Sequence, residues 1–314
     1  MIQDARCQSV KSAIRDVRIQ LKKESSVGNL VYINGELVPK ETASVSVFDH
    51  GFLYGNGLFE TMRAYRKRIF RLEHHLQRLF LSLEYLKFPI PFTFDTLKEA
   101  IRETIAANHL EDAYIRLNVT RGEGASVPDP TTCKSPTIII IAREYLPYSP
   151  ALYQKGYSGK VVTVRPSPHT PSTGMKTLNF LNHIIAKMEA KESGFNEGIL
   201  VNTEGFVTEG TVSNIFMVKG DTLSTPSRAV GLLPGVTRQV ILELAQEKEL
   251  TTVEGTITPH QLSDADEAFL TNSLVEIMPL VALDGQPLGK GVPGPVTQEL
   301  IPAYRKLVKK ELQL

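Results

Sequence analysis

The side chains best suited to chemistry in this chain are a lysine and a glutamate, each in a short apolar motif. Lys176 stands in Met-Lys-Thr-Leu-Asn-Phe-Leu-Asn over 175–182, and Glu209 stands in Val-Thr-Glu-Gly over 207–210. A lysine held against apolar neighbours has a lowered pKa, which makes its neutral amine available to attack an aldehyde and form a Schiff base. A carboxylate beside it can stabilise positive charge on a bound ring. The pair therefore predicts carbonyl chemistry on an aldehyde cofactor.

Other segments offer groups that bind an anion. Val236 and Thr237 follow Pro-Gly at the predicted start of a helix, where backbone N–H groups have no acceptor within the helix. Ser273 adds a hydroxyl after a predicted strand, whereas Arg71, at a predicted helix start, is by itself more often a surface residue. An amine, a carboxylate and an anion site are the parts that pyridoxal 5'-phosphate requires. The sequence therefore predicts that cofactor.

These motifs resemble those of the fold-type IV (class IV) pyridoxal phosphate aminotransferases, and the resemblance runs from Val31 to Pro295. It rests on the pattern Lys-x-x-Asn-x-Leu that begins at Lys176, on the motif around Glu209, and on Leu-Pro-Gly-Val-Thr-Arg over 233–238. The resemblance implies that Lys176 carries the cofactor and acts as the general base, and that Glu209 bonds the pyridine nitrogen. It implies further cofactor contacts from Arg71, Leu232, Val236, Thr237 and Ser273.

Within the family, the substrate residues look most like those of the branched-chain aminotransferases. The matching positions are Tyr54, Phe59, Arg63, Tyr114, Arg116, Leu274 and Val275. The resemblance implies that the tyrosines and the amides of Leu274 and Val275 receive the α-carboxylate, although Tyr54 and Phe59 also suit an ordinary core. It implies transamination of a branched-chain or other apolar amino acid, with a 2-oxo acid such as 2-oxoglutarate as acceptor. It also implies a homodimer in which the loop over 121–130 closes the partner's active site.

Three departures from the branched-chain pattern keep other reactions open. Thr61-Met62 stands where Gly-Ile is usual, and Thr211-Val212-Ser213 replaces a turn of small residues. Thr271-Asn272-Ser273 resembles the 4-amino-4-deoxychorismate lyases, which release pyruvate and 4-aminobenzoate. That lyase is the leading alternative, and a D-amino acid or (R)-amine transaminase is a further one. The loop after Arg121 lacks the Arg-x-His pair of the D-amino acid enzymes.

The elements that must position these residues predict an α+β fold of two domains. An Asn-Gly turn at Asn34 predicts a hairpin, and a leucine stripe predicts a helix over 71–86. The resemblance implies a small N-terminal α/β domain over 29–144, a linker over 145–158 and a larger C-terminal α/β domain over 159–314 that binds the cofactor. Apolar residues at three- and four-residue steps predict an amphipathic helical extension over 1–28.

The composition excludes several classes of function. A net charge of +1 gives no indication of nucleic acid or of an anionic membrane surface as partner, and no apolar run approaches the length of a membrane span. The two cysteines, Cys7 and Cys133, form neither a disulfide framework nor a metal-binding spacing. We therefore expect a cytoplasmic enzyme without a metal, whose partners are an amino acid, a 2-oxo acid and a second copy of the chain.

Overall fold

Two β-sheets, each covered by helices, make up the part of the chain that the structure describes. A computed structural model describes residues 29–314, so the predicted extension over 1–28 lies outside the described residues. The α+β class is confirmed. The last strand of the first sheet ends at Glu144 and the first strand of the second begins at Tyr157. The predicted linker contains one short helix, and the proposed domain boundaries remain a prediction.

The first sheet has six strands in the order β2-β1-β6-β5-β3-β4, with every neighbouring pair antiparallel. The predicted hairpin is confirmed: Asn34 and Gly35 both have positive φ, at 50° and 104°, as a tight two-residue turn requires. The strands are β1 (Leu30–Ile33), β2 (Glu36–Pro39), β3 (Gly57–Tyr65), β4 (Arg68–Ile69), β5 (Ala113–Thr120) and β6 (Thr137–Glu144).

Helices cover one face of this sheet and leave the other face to the rest of the molecule. They are α2 (Leu72–Tyr85) and α3 (Phe94–Ala107), and the short helix α1 (His50–Tyr54) precedes β3. The leucine stripe of α2 is buried, and it packs with Ile101 and Ile105 of α3 against Ile115 and Leu117 of β5. Because side chains alternate along a strand, residues 59, 61 and 63 of β3 and 114 and 116 of β5 point to the opposite face.

The second sheet is larger and mixed, with nine strands. The main path runs β12-β11-β10-β13-β14-β7-β8-β9, and β15 pairs with β14. The strands are β7 (Tyr157–Val161), β8 (Glu197–Val201), β9 (Val207–Gly210), β10 (Asn214–Lys219), β11 (Thr222–Pro226), β12 (Thr251–Gly255), β13 (Glu267–Asn272), β14 (Glu276–Leu283) and β15 (Gln286–Pro287). The turn between β13 and β14 carries Ser273, Leu274 and Val275, three of the predicted site residues.

Five helices accompany this sheet: α4 (Pro150–Lys155), α5 (Leu181–Glu192), α6 (Val236–Glu247), α7 (Pro259–Ser263) and α8 (Pro295–Leu312). Helices α6 and α8 pack on β13 and β14 through Val240, Ile241, Leu300 and Tyr304. Within residues 29–314, none of the helices combines the length and the apolar character that crossing a membrane requires. Over the same residues, His, Cys, Asp and Glu side chains form no cluster that could hold a metal ion.

Candidate active site

The candidate site is a cavity of about 890 Å³ between the open face of the first sheet and the second sheet. Ten of the predicted site residues line it: Phe59, Tyr114, Arg116, Lys176, Glu209, Val236, Thr237, Ser273, Leu274 and Val275. Four do not contribute to its lining, namely Tyr54, Arg63, Arg71 and Leu232. The lining thus joins side chains from both sheets, from the helix start at Val236 and from the turn between β13 and β14.

Lys176 is placed by backbone hydrogen bonds to the start of β3. The N–H of Phe59 donates to the Lys176 carbonyl at 2.8 Å, and the N–H of Leu178 donates to the Gly57 carbonyl at 2.9 Å. The segment therefore pairs with β3 while its chain continues into α5. The lysine Nζ lies 4.4 Å from the centre of the Phe59 ring.

The amine of Lys176 lies deep among protein atoms although the residue as a whole is only half-buried. Burial lowers its pKa to about 8, and the Arg78 guanidinium adds to that effect, whereas the carboxylates of Glu60 and Glu209 oppose it. Desolvation disfavours the charged ammonium, so a substantial fraction of the amine is neutral at mildly alkaline pH. A neutral amine is the form that attacks a carbonyl carbon or accepts a proton.

Glu209 is held on β9 by two groups of neighbouring segments. Its Oε2 accepts a hydrogen bond from the Leu233 N–H at 3.2 Å and a longer one from Asn214 Nδ2 at 3.5 Å. Asn214 also donates to the Leu233 carbonyl at 2.8 Å, which ties β10 to the loop before α6. The other oxygen, Oε1, lies 3.7 Å from His183 Nε2. Oε2 therefore fixes the carboxylate, while Oε1 accepts no hydrogen bond from residues 29–314, and Glu209 lines the cavity.

The start of α6 forms a corner of the cavity that offers backbone donors to an anion. Gly235 is the N-cap and makes no side-chain cap, so the helix start keeps backbone donors for a ligand. A Cβ at Gly235 would collide with Asn214 Oδ1, so glycine is needed for the close approach of these two segments. Val236 and Thr237 are buried at this corner.

The structure does not bring Arg71 to the cavity. Its guanidinium is bound by Glu243 at 2.7 Å and by Glu311 at 2.6 Å, both on helices of the larger half. Arg71 has the left-handed φ of 53° and stands immediately before α2. A role in phosphate binding stays a prediction for Arg71, and this geometry gives it no support.

Arg78 is the cationic residue of α2 that does line the cavity, and the sequence reasoning missed it. Its guanidinium donates two hydrogen bonds to Glu60, at 2.8 and 2.6 Å, and a third to the Pro234 carbonyl at 2.9 Å. The sequence could have indicated Arg78 as a second candidate for the role given to Arg71. It lies seven residues later, and seven residues are two helical turns, which return to nearly the same face of a helix. Arg78 therefore reaches the loop that precedes the anion-binding start of α6.

A buried ion cluster holds Arg78. Glu60 is 1 % exposed, and its carboxylate also lies 2.8 Å from His75 Nδ1. Burial alone would raise the pKa of Glu60, but Arg78 and His75 outweigh burial and hold that pKa at about 2. Burial lowers the pKa of His75. Neutral His75 donates from Nδ1 to Glu60, which leaves Nε2 to accept from Ser273 Oγ at 3.5 Å.

Arg63 lies behind the cavity wall and supports the turn between β13 and β14. It lines a void of about 10 Å³ next to Thr237 and Ser273, and its Nη1 donates to Glu276 at 2.8 Å. Its guanidinium is sandwiched by the rings of Tyr65 and Tyr145, at 4.1 and 3.8 Å from their centres. A direct substrate contact stays a prediction for Arg63, whose charge is already neutralised by Glu276.

The remaining candidate residues differ in whether they line the cavity. Arg116 stacks over the Phe59 ring at 3.9 Å and donates to Asn118 at 2.9 Å, and over residues 29–314 it forms no salt bridge. Tyr54 stands on α1, packs edge-on against His50 and is 37 % exposed, outside the cavity. Leu232 is buried beside the cavity, and its neighbour Leu233 reaches the lining. Further lining residues that the sequence did not single out include Tyr148, Tyr157, Arg165 and Glu197, and the lining also contains Thr61.

Comparison with known proteins places this site in a family. The family model for amino-transferase class IV matches residues 57–283. A putative branched-chain-amino-acid aminotransferase of Methanocaldococcus jannaschii is 41 % identical over 278 residues, covering 88 % of this chain and 96 % of that protein. The aminodeoxychorismate lyase of Bacillus subtilis is 34 % identical over 282 residues, covering 89 % and 95 %.

A solved structure agrees with these matches. The branched-chain amino acid aminotransferase of T.th., in complex with N-(5'-phosphopyridoxyl)-L-glutamate, superposes with a TM-score of 0.85 at 32 % identity, covering 91 % of this chain and 96 % of that one. The chain therefore belongs to the class IV aminotransferase family of enzymes. The predicted family and fold are confirmed.

Proposed function

We propose that this protein is a pyridoxal phosphate-dependent transaminase of apolar amino acids, with a 2-oxo acid such as 2-oxoglutarate as acceptor. The observation that carries the proposal is Lys176, whose amine has a pKa lowered to about 8 and lies in the same cavity as Glu209. The relatives named as branched-chain aminotransferases support the choice of substrate class.

The cavity residues fit pyridoxal phosphate by the chemistry of their donors. Lys176 offers the amine, Glu209 Oε1 offers an acceptor for the ring nitrogen, and the start of α6 with Arg78 offers a cationic corner for the phosphate. The hydroxyls of Ser213 and Thr271 also line the cavity and are buried without a hydrogen-bond partner among the described residues. When bound, the cofactor supplies an aldehyde for the substrate amine and a ring that withdraws electrons from Cα.

Lys176 then acts as the general base. Once a substrate amine has replaced it, the Nζ of Lys176 is free to remove the proton from the substrate Cα and to return that proton later in the reaction. A pKa of about 8 suits both steps, because the amine can accept and release a proton near neutral pH. The negative charge of Glu209 favours a protonated ring nitrogen during this transfer.

The substrate end of the cavity combines aromatic surface with a guanidinium that pairs with no carboxylate among residues 29–314. Phe59, Tyr114, Tyr148 and Met278 contribute ring and thioether surface suited to an apolar side chain. Arg116 supplies that guanidinium, whose charge suits a carboxylate, and the solved relative holds a cofactor–glutamate conjugate. An apolar pocket distinguishes substrates by only about 1–3 kcal/mol per methylene, so leucine, isoleucine and valine should all react.

The test is a half-reaction screen on protein saturated with pyridoxal phosphate. L-leucine, L-isoleucine and L-valine should each yield the matching 2-oxo acid, detected by chromatography, and added 2-oxoglutarate should yield glutamate. Lys176→Ala is the control and should yield neither. Activity confined to D-amino acids or to (R)-amines would replace this proposal with one of those transaminases.

The lyase is the second candidate, and specific observations favour it. The Bacillus subtilis aminodeoxychorismate lyase matches over 89 % of this chain, and Thr61 and Asn272 line the cavity at positions that depart from the branched-chain pattern. Both reactions begin with the same proton transfer at Lys176. If aminodeoxychorismate gives pyruvate and 4-aminobenzoate while none of the three apolar amino acids reacts, the lyase is the function.

We also propose that the protein is a homodimer. Helix α5 exposes Leu181, Ile184 and Met188, which are 66 %, 49 % and 54 % exposed, and Phe52 of α1 is 73 % exposed. Large apolar side chains exposed together on one element are typical of an interface. We propose that the loop over 121–130, whose Val127 is 49 % exposed, reaches the active site of the second copy.

Light scattering tests the dimer directly. The wild type should scatter as a dimer, and Ile184→Asp combined with Met188→Asp should scatter as a monomer with reduced transamination. Leu81→Asp, on α2 and 62 % exposed, is the matched control and should leave the mass unchanged. A wild-type monomer with full activity on dilution would overturn the proposal.

A further inference from the structure

The side chain of Asn272 engages the turn that the family resemblance assigns to the substrate carboxylate. Its Oδ1 accepts hydrogen bonds from the N–H groups of Leu274 and Val275, both at 2.9 Å. Its Nδ2 donates to the Val212 carbonyl at 3.0 Å, across the cavity edge from the turn. All four residues line the cavity. The two amides that would hold a carboxylate therefore already have an acceptor supplied by the protein.

We propose that Asn272 is a specificity-determining residue that competes with the substrate carboxylate for the Leu274 and Val275 amides. The inference rests on the proposed function, since it concerns how the same site binds its amino acid. A carboxylate forms stronger charge-assisted bonds to N–H groups than a neutral amide oxygen does. The carboxylate therefore displaces Oδ1, and its affinity is reduced by the cost of breaking the two bonds to Asn272.

The turn keeps its shape without Asn272, because other residues hold it from behind. Tyr145 Oη donates to the Leu274 carbonyl at 2.6 Å, and Tyr153 Oη donates to the Val275 carbonyl at 3.2 Å. The next residue, Glu276, has a φ of 60° and is fixed by Arg63 and Arg305, each at 2.8 Å. Removing the Asn272 side chain therefore exposes two amides that remain oriented for an anion.

Two substitutions separate this competition from a purely structural role. Asn272→Ala and Asn272→Asp both remove the donor to the Val212 carbonyl. They differ at the amides, because alanine offers no acceptor and aspartate offers a charged one. A structural role acting through Val212 predicts the same change in both variants, whereas competition at the amides predicts opposite changes.

The experiment is a calorimetric titration of the pyridoxal phosphate-saturated protein with two probes of equal carbon skeleton. 4-Methylvalerate carries the carboxylate, and 4-methylpentan-1-ol lacks it. Asn272→Ala should bind 4-methylvalerate roughly three- to tenfold more tightly than the wild type, and Asn272→Asp should bind it at least about tenfold more weakly. The alcohol should bind all three proteins equally within about twofold.

Several outcomes would overturn the inference. The first is that the affinity for 4-methylvalerate shifts in the same direction in both variants. The second is that the affinities for the acid and the alcohol shift equally. The third is that the proteins bind the alcohol but not the acid. The half-reaction with L-leucine in the wild type is scored separately. If leucine reacts but the affinities fail to diverge, the role of Asn272 is wrong and the proposed function stands. If the affinities diverge but no amino acid reacts, the proposed function is wrong.

Discussion

The two walls of the cavity differ in how their charged groups are used. On the wall formed by β3 and α2, Glu60 is bound by Arg78 and His75. The other wall comprises Lys176, Glu209 and the start of α6. There Lys176, whose backbone pairs with the start of β3, makes no salt bridge within residues 29–314, and Glu209 Oε1 lies 3.7 Å from His183 Nε2. The start of α6 likewise has no side-chain cap. The charged groups of the first wall are paired with one another, whereas the second wall carries groups that can still accept or donate hydrogen bonds to a ligand.

This difference indicates a division of labour. Paired charges in a dry site fix positions, because separating them leaves a buried charge without a partner. Groups with unused donors, acceptors or a shifted pKa are the ones that can bind a cofactor and move protons. Arg78 joins the two walls, since its guanidinium pairs with Glu60 and also reaches the Pro234 carbonyl beside the anion corner.

Breaking the ion cluster around Glu60 should have the largest effect, and the quantity affected should be the free energy of unfolding. Glu60→Gln should lower the free energy of unfolding by about 3–5 kcal/mol at pH 7, because Arg78 would then be buried without its anion. The folded-state pKa of Glu60 lies at about 2, below the value of the unfolded chain. Its contribution is therefore complete above about pH 4.5 and is lost as the pH falls through about 2. Urea unfolding at several pH values measures it.

Glu111→Gln is the matched control for that experiment. Glu111 pairs with Lys67 at 2.9 Å, but both side chains are more than half exposed. The change in unfolding free energy should therefore stay below about 1 kcal/mol. Equal losses in the two variants would show that the buried cluster has no special role.

Removing the charge of Glu209, on the second wall, should slow the reaction while leaving the fold intact. Glu209→Gln keeps an oxygen for the Leu233 N–H but removes the charge, so the single-turnover rate with L-leucine should fall by roughly 10²–10³. Glu197→Gln changes the same residue type in the same cavity, where the carboxylate is already paired with Lys187 at 3.2 Å. Its rate should fall by less than about tenfold. The comparison fails if both variants lose the same rate.

The smallest of these effects should distinguish Arg78 of α2 from Arg71, which stands immediately before that helix. Arg78→Lys keeps a charge near Glu60 but loses the planar fork that reaches the Pro234 carbonyl. The affinity of the apoprotein for pyridoxal phosphate should fall by about tenfold, measured by calorimetry. Arg71→Lys should change it by less than about twofold, since Arg71 pairs with Glu243 and Glu311. The reverse order would restore the assignment made from sequence.

Much of the fold was accessible from periodicity and local turn chemistry. Helix α3 begins with a capping box of Thr93 and Thr96, and its stripe is regular. The Asn-Gly turn at Asn34 identified the hairpin of β1 and β2. Strand β3 escaped notice because Glu60 and Arg63 interrupt its apolar pattern. Glu60 is buried and the Arg63 side chain is largely covered only because partners distant in sequence neutralise them. No local pattern can indicate such partners.

The site shows the same limit. Short motifs pointed to Lys176, Glu209 and Thr237, and the structure brings all three to one cavity, although their roles stay predictions. The choice between Arg71 and Arg78 depends on where α2 crosses the loop before α6, which is a tertiary contact. Asn272 was seen only as a departure from a pattern. Its bonds to two amides depend on the path of the turn between β13 and β14.

The proposed function depends above all on the amine of Lys176, which we propose carries the cofactor. The direct measurement is borohydride reduction of the protein with pyridoxal phosphate, followed by mass spectrometry of its peptides, at a series of pH values. We expect a single labelled peptide containing Lys176, absent from Lys176→Ala, with a labelling rate that rises through a pKa of about 8. A label on another lysine, or a rate that rises only near the pKa of an ordinary lysine, would contradict it.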